Sequence, residues 1–112
     1  MINRSAIIVR ARRPFLAWLK GLSDPVGPDT TLADVNYEPN IYLLPEYEMD
    51  AQQDELLSDF YDIIFEIELD GWWTAEEDWP SKRTFKMFKE WFNVEFHSVV
   101  EDLFDAPLID LD

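Results

Sequence analysis

Between Asp50 and Leu69 the apolar residues return with helical spacing, and no other stretch of the sequence limits the fold as tightly. Leu56, Phe60, Ile63 and Ile67 stand four, three and four positions apart, and Leu57 and Ile64 widen the stripe. That period predicts an amphipathic helix over about 50–69, because positions three and four apart share one helix face. Asp50 with Gln53 three residues later has N-cap form, and Asp54 and Glu55 lie where the helix dipole favours anions. Asp70-Gly71 supplies a stop.

The other elements follow from shorter signals. Ser5-Ala6-Ile7-Ile8-Val9-Arg10 is β-branched and reads as a strand, central in its sheet. Pro14 fits the first turn of a short helix whose apolar face is Phe15, Leu16, Trp18, Leu19 and Leu22, with Gly21 to end it. Residues 23–29 form a loop by composition. Thr31 and Asp34 have capping-box spacing and predict one helical turn before Pro39. Asn40–Leu44 reads as a second strand stopped by Pro45. A further helix is expected from about Ser81 to Phe92, with Phe85, Phe88, Trp91 and Phe92 inward and Asn93 as a left-handed cap. Val94–Val100 alternates as a third strand. The expected architecture is α+β, a small sheet of about three strands packed against three main helices, in the order β-α-β-α-α-β. One domain over residues 1–112 is expected, with 101–112 an acidic and hydrophobic tail that folds onto the domain or offers a docking segment.

Charge constrains partners more than fold. The first 23 residues hold five cations (Arg4, Arg10, Arg12, Arg13, Lys20) and no acid, whereas the rest holds all 24 acids against four cations, for a net charge of −15. A disordered acidic chain is poor in aromatic residues; this one is 47% hydrophobic and 15% aromatic, enough to bury a core. The acids must therefore lie at the surface, because an unpaired buried carboxylate is costly. A net negative chain also argues against direct nucleic-acid binding, which depends on neutralising phosphates. The sequence has no cysteine, which removes disulfides, thiolate metal sites and cysteine nucleophiles, and points to a reducing cytoplasm. No signal-peptide core and no membrane-spanning apolar run are recognisable, so no membrane partner is expected.

Three sets of residues could carry chemistry. On the main helix Glu55, Asp59, Asp62 and Glu66 follow at four, three and four, which places four carboxylates on one face. They read as a solvated face, as partners of Lys82, Lys86 and Lys89 in an internal seam, as a dock for a basic protein surface, or as an imitation of the phosphate backbone by a nucleic-acid mimic. Trp72, Trp73 and Trp79 bracket an acidic loop and would serve as aromatic anchors for such a partner or as core anchors of the loop. His97, the only histidine, shares a strand face with Glu95. With Glu101 or Asp102 nearby it admits a small hydrolase or a metal-dependent enzyme, although a strand histidine bonded to its neighbour explains the same residues. The early arginines, placed between a strand and a helix, read either as an anion site or as a counterweight to the acids. No catalytic, cofactor or metal motif is recognisable, and no cofactor is expected.

The segments Arg4–Arg10, Asn40–Glu46 and Thr84–His97 together resemble a group of small acidic bacterial proteins of about this length to which no activity is attached. That resemblance implies a free-standing bacterial cytoplasmic protein and assigns a role to no residue. The reading that follows is a non-enzymatic binding or regulatory module contacting a basic protein surface through Glu55, Asp59, Asp62, Glu66, Trp72, Trp73 and Trp79.

Overall fold

The structure is a computed structural model that describes residues 1–111. Strand β1 (Ser5–Ala11) leads into helix α1 (Arg13–Lys20), then a single helical turn, α2 (Leu32–Val35), and strand β2 (Asn40–Leu44). A 3-10 turn at Asp50–Gln52 opens into the long helix α3 (Gln53–Asp70); a second 3-10 turn, Glu76–Asp78, precedes helix α4 (Phe85–Trp91) and strand β3 (Phe92–His97). The three strands form one antiparallel sheet in the order β2-β1-β3. β1 is central, as its run of β-branched residues predicts.

Register decides what the sheet buries. Ile7 lies opposite Tyr42 on one side and Phe96 on the other, and Val9 opposite Asn40 and Val94. Side chains alternate across a strand, so these residues share a face with Ser5, Ala11, Leu44 and Phe92. That face meets Phe15 and Leu19 of α1, Leu57, Ile64, Phe65 and Leu69 of α3, and Phe88 of α4 in one apolar cluster. Phe92 is its hub, with ring centroids of Phe15, Phe65 and Phe88 at 5.3, 5.3 and 5.1 Å. Ile8, Arg10, Ile41, Leu43, Glu95 and His97 point to the opposite face.

Several local expectations are met in atomic detail. Thr31 Oγ1 accepts from the Asp34 amide and Asp34 Oδ2 accepts from the Thr31 amide, the reciprocal capping box that starts α2. Pro14 occupies the first turn of α1. Asn36, just after α2, accepts from the Ala11 amide and donates to the Ala11 carbonyl, extending the strand pairing of β1 beyond Val9–Asn40 with a side chain.

Others are corrected. The inward face of α3 is rotated from the expected stripe: Leu57, Ile64, Phe65, Glu68 and Leu69 are buried, while Ile63 and Ile67 are 60% and 47% exposed. Phe65 sets this direction, because its ring packs on Phe88, Trp91 and Phe92. α4 starts at Phe85 rather than Ser81, because Lys82 holds a left-handed backbone (φ 54°) and Thr84 caps the helix by accepting from the Met87 amide. Asn93 is no cap; the chain is already extended at Phe92, and Asn93 lies within β3. Residues 98–111 contain no helix or strand, and Leu103, Phe104, Leu108, Ile109 and Leu111 are exposed. This segment is held to the start of the chain where the Ile2 amide donates to the Val100 carbonyl and the Met1 amino group pairs with Glu101 at 2.8 Å.

Candidate functional site

The outward side of α3 is built by the same rotation that buries Phe65. With Leu57, Ile64 and Leu69 turned to the core, Glu55, Asp59, Asp62 and Glu66 are all exposed, and the exposed Ile63 and Ile67 flank them on one side. Seven residues of helix separate Glu55 from Asp62, a span of about 10 Å. At the N-terminal end Glu46, Tyr47, Gln52, Leu56, Glu55 and Asp59 line a shallow cavity of about 180 Å³. The result is a row of carboxylates beside an exposed apolar ridge.

Among the described residues cations reach this row at one end only. Arg83 Nη2 donates to Glu66 Oε1 at 3.0 Å, and its guanidinium is clamped between the rings of Phe65 and Trp79, 5.9 and 5.8 Å from their centroids. Lys89 sits 3.4 Å from Asp54 and over the Phe85 ring. The seam of Lys82, Lys86 and Lys89 against the four carboxylates, one of the sequence's readings, therefore does not form among the described residues: the one ion pair of these lysines with α3 runs from Lys89 to Asp54, outside the row. Among the described residues no cation pairs with Glu55, Asp59 or Asp62.

The three tryptophans part company. Trp73 Nε1 donates to Asp78 Oδ2 at 3.0 Å, and Trp79 Nε1 donates to the Trp73 carbonyl at 2.7 Å. Trp18 of α1 adds a third indole bond, to the Asp78 carbonyl. Trp73 and Trp79 thus close the loop on itself, while Trp72 remains 44% exposed at the end of α3.

One early arginine, Arg10, and His97 meet at one carboxylate. Arg10 Nη1 lies 3.1 Å from Glu95 Oε1, and His97 Nε2 bonds to Glu95 Oε2. The hydrogen bond from His97, followed by that from Arg10, holds the Glu95 carboxyl below its ordinary range. All three side chains are half exposed on the sheet face away from the helices, where solvent screens their attraction. Among the described residues Arg10 is the one early arginine in an ion pair; Arg4, Arg12 and Arg13 form none. Among the described residues no group of three or more histidine and carboxylate side chains is placed to hold a metal ion.

One cluster was not anticipated. Glu68 lies on the inward face of α3, only 9% exposed, and its Oε2 accepts from Asn40 Nδ2 at 2.7 Å and from the Tyr42 hydroxyl. Burial pushes the Glu68 carboxyl up from its ordinary range, against the two hydrogen bonds that favour the ionised form. Burial and the neighbouring Glu68 push the Tyr42 phenol up as well, so it stays a donor. A cavity of about 240 Å³ opens beside them, with Val9, Phe15, Val35, Glu38, Glu68 and Trp72 among its walls. The sequence does carry a signal for this site: Glu68 is four residues from Ile64 and eleven from Leu57, a carboxylate at a core position.

No protein-family model matches the chain, and no curated protein or solved structure matches it either. Among the described residues no helix is long and apolar enough to cross a membrane.

Proposed function

We propose that this protein is a non-enzymatic binding module of the cytoplasm that docks a basic, partly apolar segment of another protein on the outer face of α3. The observation that carries the reading is the company Ile63 and Ile67 keep. They are exposed on the same helix side as Glu55, Asp59 and Asp62, three carboxylates that no described cation pairs with. A segment with Lys or Arg flanking one or two apolar residues complements both features. Rim carboxylates speed and orient the encounter, and covering the two isoleucines contributes on the order of 1 kcal/mol each. Trp72 extends the apolar surface beyond the end of the helix; Trp73 and Trp79, bonded within their own loop, hold that end in shape. The apolar ridge favours a protein segment over mimicry of nucleic acid, since a phosphate backbone presents no such ridge beside its charges.

Glu55→Lys/Asp59→Lys/Asp62→Lys tests the reading without touching the Arg83–Glu66 pair. Captured partners from the native cell should be lost from this variant while its circular dichroism stays that of the unsubstituted protein and its melting point is no lower. Retention of the same partners at the same salt concentration contradicts the proposal.

A further inference from the structure

We propose that the cavity beside Glu68 is a binding site for an organic cation, an alkylammonium or guanidinium group. This site is distinct from the carboxylate row of α3, because Glu68 is on the buried side of the helix; of the docking residues only Trp72 borders it.

The first argument is a charge without a counter-charge. Buried carboxylates in folded proteins are paired with cations or neutralised. Glu68 receives only neutral donors, the Asn40 amide and the Tyr42 hydroxyl, and among the described residues no Lys, Arg or His pairs with it or lines the cavity. Both donors fall on Oε2, and Oε1 receives no hydrogen bond from the described protein groups. An N–H-bearing cation supplies what the protein omits, a charge-assisted hydrogen bond to that oxygen.

The second argument is the lining. Glu38 brings a second acid to the wall, and Trp72 brings an indole whose face attracts a cation. Val35 and Pro39, half-buried at the wall, provide a small apolar surface for a short alkyl stem. A cavity of about 240 Å³ takes a group of a few heavy atoms and not a nucleotide. Two acids and no basic lining residue disfavour an anion. The ligand is thus a compact cation with N–H donors and a short apolar body, whether a free small molecule or the end of a lysine or arginine side chain on a partner.

The test is a titration of the full, 15N-labelled chain with n-butylammonium and methylguanidinium chlorides, with n-butanol as the neutral isostere at matched salt. The proposal expects saturable shifts of the Trp72 indole N–H, the Asn40 side-chain amide and the Gly71 amide with at least one cation, and no saturation with n-butanol. Glu68→Gln keeps an oxygen for Asn40 and Tyr42 and should weaken cation binding at least ten-fold. Trp72→Ala, at an exposed position, should weaken it several-fold and serves if Glu68→Gln fails to fold. Capped lysine and arginine amides distinguish the sources: binding as tight as the small cations points to a partner's side chain, and exclusion points to a free small molecule. The proposal is overturned if neither cation saturates, if n-butanol gives the same shifts, or if binding survives unchanged in the folded variants.

Discussion

Glu68 shows how much one residue can decide in a chain with so many acids. Exposed carboxylates such as Glu55 and Asp62 are hydrated, whereas Glu68 gave up most of its water for two neutral donors. Its raised folded-state pKa means that the native chain binds this proton more tightly than the unfolded chain. Its contribution to stability is complete below the ordinary glutamate range and is lost as pH rises through the folded value. Asp34 and Glu95 have the opposite sign: their lowered carboxyls contribute above the ordinary range and lose that contribution as pH falls. Urea denaturation across pH should therefore show Glu68→Gln gaining stability relative to the unsubstituted protein as pH rises from about 4 towards 7. A stability difference that does not change with pH contradicts the assignment. In the sequence only its spacing from Ile64 and Leu57 separates Glu68 from its neighbour Glu66. They differ in the direction each faces, and that direction is set by Phe65 finding Phe88 and Phe92.

At the scale of elements, α3 and α4 show where pattern suffices and where it does not. The extent of α3 was legible because its apolar residues persist over five turns. Its inward face was not, because isoleucine, leucine and phenylalanine occupy most of its circumference and hydrophobicity alone does not rank them. The capping box of Thr31 and Asp34 was legible because it is local; so were β1, α1 and β2. The start of α4 was missed because a left-handed lysine interrupts a plausible helical run, and such a conformation is uncommon outside glycine, asparagine and aspartate. Thr84 is the true cap, and Thr84→Ala should destabilise the protein by about 1 kcal/mol. Thermal melting checks this; an unchanged midpoint contradicts the cap's role. The candidate site was half legible. Its four carboxylates are exposed as their spacing predicted, but the cation that meets them is Arg83, brought there by stacking on Phe65 and Trp79, which sequence spacing does not encode. In the sequence Trp73 and Trp79 read as anchors either for a partner or for their loop, and their indole bonds lie within the loop.

For the whole molecule, a net charge of −15 makes salt act in two directions at once. Repulsion among the acids opposes folding, and raising the ionic strength from about 0.01 M to 0.15 M shortens the Debye length from roughly 30 to 8 Å. The free protein should melt higher with added salt, while capture of a basic partner on α3 should weaken. Partner binding that is insensitive to salt would mean that the carboxylate row is not the contact. The fold explains why that row is available: one face of the sheet and the inward sides of three helices share a single core, which leaves the outward side of the longest helix unclaimed.

The central claim is that a partner sits on Ile63. Ile63→p-benzoylphenylalanine places a photo-crosslinker there at a position exposed enough to accept it. Tyr37→p-benzoylphenylalanine, at a residue 89% exposed and outside α3, is the control. Irradiation in the native cell should join a basic protein to position 63, with adducts absent at position 37 and lost when Glu55, Asp59 and Asp62 are replaced by lysine. No adduct from position 63, or the same adducts from both positions, would contradict the account.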